Sequence, residues 1–390
     1  MKSEWQTQKL GEVCKIIKGR KPLILKERKE GCLPYLTAKF LRGTSNAEYV
    51  SIKDRNSVQV NTDEMIIICD GSNSGEMFQG FNGVLASTMG KIKHNNELDS
   101  RFLHTFLDFQ FYLFNSKKTG AAIPHLDQSL LYSLEIPLPP LPEQKRIVSI
   151  LDKSFEAIEK AKENAEKNLQ NSKELIESYL NAAFTEGRGE WPKKSLKEVC
   201  AFENGDRGKN YPNRKEYVSS GIPWINTGHI QPDGTLSQNE MNYISRKKFD
   251  TLRSGKIREG DLVYCLRGAT LGKTALVEPF TQGAVASSLV IIRPCESLNR
   301  HFLFYFLISP HGQGKIKEYQ NGAAQPNLGA KSVAKFVITL PPLSEQEVII
   351  NRIKHYFETT RCLESIYLKK IVALDELKQS LLSKAFAGEL

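Results

Sequence analysis

The sequence predicts an α+β protein: two repeated globular α/β units separated by two long helices that pair as an antiparallel coiled coil, with pseudo-twofold symmetry. Three observations predict it. Blocks of the 390-residue chain occur twice, each copy ends in a long segment of helical periodicity, and each copy sets a strand-like apolar run before a glycine-containing loop.

The repeat is the primary signal. PPLPEQKRI at Pro139 to Ile147 returns as PPLSEQEVI at Pro341 to Ile349, an offset of 202 residues. Upstream at the same offset, TGAAIPHL (Thr119 to Leu126) answers NGAAQPNL (Asn321 to Leu328). Downstream, Phe155 matches Phe357, Leu175 matches Leu377, and Ala183-Phe184 matches Ala385-Phe386. Other pieces pair at smaller offsets, as loops of unequal length require. WQTQKLGEVC (Trp5 to Cys14) answers WPKKSLKEVC (Trp191 to Cys200), each reaching a glycine, Gly19 or Gly205, five residues later. LPYLTAKFL (Leu33 to Leu41) answers IPWINTGHI (Ile222 to Ile230), and DSRFLHTFL resembles NRHFLFYFL.

In chain order this predicts a first globular half over 1–141, a helix over 142–186, a second half over 187–343 and a helix over 344–390. The first helix carries Ile147, Leu151, Phe155, Ile158, Ala161, Ala165, Leu169, Ile176, Leu180 and Ala183 at steps of mostly three and four, one helical stripe. The second repeats it with Ile349, Ile353, Tyr356, Thr360, Leu363, Tyr367, Leu374, Leu377 and Leu381. Pro142 suits an early helix position, and Ser344 with Glu347 predicts a capping box. Each helix is on the order of 60 Å long and needs a partner helix to bury its stripe. The ends of a compact second half lie close together, so the end of the first helix falls beside the start of the second, and the two run antiparallel.

RGATLGKT (Arg267 to Thr274) ends like a phosphate-binding loop but is one residue short, since only three residues separate Gly268 from Gly272. Its counterpart DGSNSGEM (Asp70 to Met77) keeps both glycines and lacks the lysine. Both follow apolar runs, Met65 to Ile68 and Leu262 to Leu266, so the glycines shape a loop at a strand end. A nucleotide-binding enzyme stands only as an alternative.

A formal net charge of +10 and a pI near 9.1 favour a polyanionic partner. The seven cysteines are scattered, mostly in apolar runs, and read as small buried hydrophobes in a reducing compartment; neither a CxxC pair nor a paired-His spacing suggests a metal. MKSEWQTQKL has no apolar signal core and Phe302 to Ile308 is too short to span a bilayer, so we expect a cytoplasmic protein with no membrane partner. Motifs for amino-methyl transfer, S-adenosylmethionine binding or metal-assisted phosphodiester cleavage are missing from the sequence, and no catalytic residue is expected.

Two degenerate halves joined by paired helices, with PLPPLPEQKRIV and TLPPLSEQEVII at the helix starts, resemble the specificity (S) subunit of type I restriction-modification systems. The resemblance spans essentially the whole chain. Gly-Ala-Ala-x-Pro-x-Leu leading into Pro-Pro-Leu-x-Glu-Gln is its most specific part; LPYLTAKFL and DGSNSGEM depart further from the family pattern than IPWINTGHI and RGATLGKTA. It implies that each half is a target recognition domain for one part of a split asymmetric site in double-stranded DNA. It also implies that the helices act as spacer and docking surface for two methyltransferase (M) subunits, joined by restriction (R) subunits. No cofactor is expected on this chain, since S-adenosylmethionine, ATP and Mg belong to the partner subunits. Leu141 and Leu343 become docking candidates from the resemblance alone.

Basic and amide side chains in glycine-rich loops are the DNA-contact candidates: Lys18, Arg20, Lys21, Lys39, Arg42, Ser72 and Asn73 in the first half, and Arg207, Lys209, Asn210, Asn226, His229, Arg267 and Lys273 in the second. Arg and Asn can read guanine and adenine edges, and Lys can neutralise phosphate. The Gly-Ala-Ala-x-Pro segments, with Gln325 and Asn327, read either as base-reading loops or as turns packing each half on its helix. The competing function is a protein-binding scaffold built on the same repeat.

Overall fold

A computed structural model describes residues 5–120, 124–185, 191–319 and 327–390; most of both Gly-Ala-Ala-x-Pro segments, including Gln325, lies outside the described residues. The two long helices span Leu141–Thr185 and Leu343–Phe386, 45 and 44 residues. Among the described residues no helix is long and apolar enough to cross a membrane.

The chain forms two compact units, Met1–Glu166 with Lys369–Leu390, and Lys167–Leu368, so each unit takes one end of each long helix. Inside each unit the helix segments are antiparallel. In the first, Lys162 pairs with Asp375 at 2.8 Å, Lys378 with Glu159 at 3.4 Å, and Arg146 donates to the Leu390 carbonyl at 2.7 Å. In the second, the rings of Tyr179 and Tyr356 stand 4.1 Å apart, and Leu180 and Phe184 share a core with Ile350 and Ile353.

Each unit repeats one strand plan. In the first, Cys14–Lys18, Met89–His94, Met65–Ile68 and Met77–Gln79 bond in that order; in the second, Cys200–Asn204, Leu289–Pro294, Leu262–Cys265 and Thr274–Leu276 do the same. A second sheet orders Tyr49–Ser51, Cys32–Leu36, Gly83–Leu85 and Gln59–Val60; its counterpart orders Asn242–Ile244, Ile222–Ile225, Gln282–Val285 and Lys256–Arg258, with Tyr217–Val218 added at one edge.

The apolar runs without alternation are strands buried on both faces. Met65 and Ile67 point into the core beneath the helix Ser100–Phe109, while Ile66 and Ile68 point into the core of the second sheet. Leu262 and Tyr264 against Val263 and Cys265 divide the same way. Gly19 and Gly205 are needed here because a Cβ at either would strike the carbonyl of Ala86 or Ala286.

Ser100–Phe109 and Arg300–Ile308 present Phe102, Leu103, Phe106 and Leu107, or Phe302, Leu303, Phe306 and Leu307, at helical spacing. Asp99 and Asn299 cap them, accepting from Arg101 and His301 N–H at 3.0 and 2.9 Å. Phe386 packs on Phe102, Phe106 and Phe109 in the first unit, and Phe184 on Phe302 and Phe306 in the second.

The Glu-Gln motif at the start of each long helix has a structural use. Gln144 is 0% exposed; its Oε1 accepts from Asp99 N–H at 2.8 Å, and its Nε2 donates to the carbonyls of Glu97 and Pro139, each at 2.8 Å. Gln346, also 0% exposed, makes the same three bonds with Asn299, Ser297 and Pro341 at 2.8, 2.9 and 2.8 Å. These amides lock the first turn of each long helix to the N-cap of a shorter one.

Two expectations are corrected. The predicted capping box at Ser344 gives way to a start at Leu343, with Glu345 and Gln346 N–H bonding the Pro342 carbonyl, so Ser344 lies inside the first turn. Leu377, expected in the seam, is 46% exposed, whereas Ile353 and Thr360 are buried as expected, Tyr356 packs on Tyr179 of the other long helix, and Ile350 and Leu382 are buried besides.

Candidate nucleic-acid interface

The glycine loops are tight hairpin turns, not phosphate-wrapping loops that open a helix. Asp70 to Glu76 joins Met65–Ile68 to Met77–Gln79, and Arg267 to Lys273 joins Leu262–Cys265 to Thr274–Leu276. The nucleotide-binding alternative is lost on two counts: a strand follows Lys273 where a P-loop needs a helix, and the Thr274 hydroxyl is buried, donating to the Gly272 carbonyl at 3.0 Å.

The two hairpins share one backbone. Gly75 N–H bonds Ile68 carbonyl at 2.8 Å and Gly272 N–H bonds Cys265 carbonyl at 3.0 Å. Leu126 N–H reaches Cys69 carbonyl at 2.7 Å, and Leu328 N–H reaches Leu266 carbonyl at 2.9 Å. Asp70 bridges His125 as Arg267 bridges Asn327. Gly75 and Gly272 have φ of +98° and +86°, and a Cβ at either would press on Phe114 or Ile316 of the helix beneath.

In the first unit four candidates gather at this hairpin. Lys18, at the end of its strand, pairs with Asp70 at 2.8 Å, and His125 Nδ1 meets the same carboxylate at 2.7 Å. Arg42 forms a bidentate pair with Glu76, Nε to Oε1 at 3.0 Å, and Asn73 adds a bond to Glu76 at 3.2 Å. The Ser72 carbonyl is held by Asn115 and Lys118 at 2.9 and 2.7 Å, which leaves its hydroxyl and the Asn73 side chain at the exposed tip. Burial pushes the Asp70 carboxyl up, but hydrogen bonds from Lys18 and His125 outweigh it and hold it below its ordinary value. Glu76 is lowered in the same way, burial being outweighed by Arg42 and Asn73. Arg20 and Lys21 follow on the exposed stretch after Gly19. Lys39 stands apart, lining a cleft of about 690 Å³ with Lys26, Asn46, Glu48 and Thr88.

In the second unit Arg267 and Lys273 are exposed on the hairpin, and neither has an ion-pair partner among the described residues. Arg207 reaches the Ser287 carbonyl at 3.5 Å and its own carbonyl accepts from Arg253 at 3.5 Å. Asp206, 3% exposed, fixes this corner by accepting from Arg207 and Arg253 N–H at 2.7 and 2.8 Å. Lys209 is exposed, and Asn210 donates to the Thr251 carbonyl at 3.0 Å.

Two second-half candidates are engaged internally. Asn226 caps the turn Thr227–His229, its Oδ1 accepting from Gly228 N–H at 2.8 Å. His229 is 4% exposed: Nδ1 accepts from Asn226 N–H at 3.1 Å and Nε2 meets Asn242 at 3.3 Å. Burial pulls its pKa below the ordinary histidine value, so a neutral ring holds this turn and does not face solvent.

Sequence reading passed over Arg253, Lys26, and the carboxylates Asp70 and Glu76. The last two were visible in the alignment of DGSNSGE with RGATLGK; the ion pairs that give them meaning were not.

The family described as the type I restriction modification DNA specificity domain matches residues 2–167 and 188–370. The MjaVIII specificity subunit of a type I restriction enzyme from Methanocaldococcus jannaschii is 27% identical over 99% of this chain and 93% of its own length. The EcoBI specificity subunit from Escherichia coli is 23% identical over 93% of this chain and 81% of its own. Among solved structures, the HsdS subunit from Thermoanaerobacter tengcongensis superposes with a TM-score of 0.64 at 20% identity, covering 99% of this chain and 97% of that one. A chain from a study of type I R-M system assembly and conformational transition reaches 0.75, also at 20% identity, covering 99% of this chain and 98% of that one.

Proposed function

The chain belongs to the type I restriction modification DNA specificity domain family, and from that premise we propose that it is the non-catalytic subunit that selects the DNA target of a type I restriction-modification complex. Residues 1–141 and 187–343 act as two target recognition domains, each reading one part of a split asymmetric site in double-stranded DNA. The helices over 142–186 and 344–390 act as the spacer, and two methyltransferase subunits dock on them, with restriction subunits completing the complex. Adenine methylation and cleavage take place on those partners, which bring S-adenosylmethionine, ATP and Mg; this chain carries no cofactor of its own. The complex works in the cytoplasm.

The observation that carries this reading is the duplicated hairpin: one backbone, presented once per unit, with different side chains at its exposed tip. A few base pairs read by one domain discriminate by only about 1–3 kcal/mol per bidentate contact, too little against the excess of competing sequence. Two tethered readers combine their selectivities. Lys18, Arg20, Lys21, Lys39, Arg42, Ser72 and Asn73 serve the first reader; Arg207, Lys209, Asn210, Arg267 and Lys273 serve the second, with Asn226 and His229 shaping its surface.

The test is to map methylated adenines in DNA exposed to the assembled complex. Two short constant segments separated by a fixed gap are expected, and a seven-residue insertion in both long helices should alter the gap. Methylation at a single uninterrupted sequence, or a complex indifferent to DNA sequence as a pure scaffold would be, defeats the reading.

A further inference from the structure

The two hairpins keep one backbone and reverse two charges. Asp70 and Arg267 hold one position, each bridging the segment that carries His125 or Asn327. Glu76 and Lys273 hold another, directly after Gly75 or Gly272, with their carbonyls bonded to Ile68 and Cys265 N–H. The partners change as well. Lys18 and Arg42 of the first unit correspond to Asn204 and Gln231 of the second, by the alignments running through Gly19 with Gly205 and LPYLTAKFL with IPWINTGHI. Lys18 with Asp70 and Arg42 with Glu76 therefore cancel at the first hairpin, leaving His125 and Lys118, the latter bonded to the Ser72 carbonyl, whereas the second carries two cations at its charge-reversed positions without ion-pair partners among the described residues.

We infer that the two units divide the electrostatic work unequally: Arg267 and Lys273 anchor the chain to phosphate, whereas Asp70 and Glu76 restrain Lys18 and Arg42 and suppress sequence-independent grip by the first unit. The inference rests on the reading that both units bind DNA. A phosphate approaching Lys18 or Arg42 must displace a carboxylate already bonded to it and sit near that negative charge, so the net gain is small. At the second hairpin it meets free cations and releases one condensed counterion for each.

Salt dependence separates the two roles. Binding of the full chain, in complex with its methyltransferase subunits, is measured against a duplex of arbitrary sequence between about 50 and 200 mM salt. In R267Q/K273Q the log–log slope should become shallower by about 1.8, which makes the loss of affinity over that range about tenfold smaller. D70N/E76Q should bind the same duplex more tightly, with a steeper slope. Melting curves matching the wild type verify that each variant is folded, and D70N and E76Q taken singly decide the matter if the double variant is not. An unchanged slope in R267Q/K273Q, or weaker binding by D70N/E76Q or by its folded single variants, overturns the inference while leaving DNA binding itself intact. A wild-type complex whose binding ignores salt removes the underlying reading instead.

Discussion

Tyr264 is 0% exposed on the strand Leu262–Cys265, and its hydroxyl has no hydrogen-bond partner among the described residues. An unpaired buried hydroxyl costs about 1–3 kcal/mol, so Tyr264→Phe should raise the melting temperature of the second unit. A lower melting temperature would mean that the hydroxyl is bonded after all. The same accounting of partners explains what single residues disclosed in advance. Lys18 and Arg42 were recognisable as candidate cations, but their carboxylates lie 52 and 34 residues away, and no local pattern reveals that these charges are already matched. His229 stands in a polar segment of sequence, and only the fold turns it inward.

Among the elements, the long helices were the most legible because their periodicity persists over 45 and 44 residues. Their seam was less so. Ile349 sits beside Ile350 and Tyr356 beside Phe357, which gives the second helix two overlapping apolar stripes; Ile350 and Phe357 join the core of the second unit, while Tyr356 packs on Tyr179 of the other long helix. The helix starts were recognised by motif, and structure supplies the cause in Gln144 and Gln346. Gln144→Leu strands the Asp99 N–H and two carbonyls without partners and should destabilise the first unit by about 2–4 kcal/mol, read as an earlier melting transition. Gln346→Leu should do the same to the second unit. A variant melting with the wild type would reduce the Glu-Gln motif to a surface feature.

At the scale of the whole molecule, the first unit is closed by residues from the far end of the chain. Leu382, Ala385 and Phe386 fill the core that contains Phe102, Phe106, Ile147 and Leu151. Removing 369–390 takes these side chains away at about 1.5–3 kcal/mol for each large one, against the 5–15 kcal/mol that stabilises a typical domain. Calorimetry of the truncated chain should show the first unit's transition shifted down or lost, and the second unit's, which draws on Lys167–Leu368, retained. Equal loss of both would mean that the units unfold as one. The duplication, the two helices and the family were determined by the sequence alone, because repeats and periodicity are written residue after residue along the chain. Which stripe of a helix is buried, which helix end completes which core, and which charges at the hairpins are cancelled were decided only by the tertiary structure, because each depends on groups far apart in sequence meeting within a few ångströms.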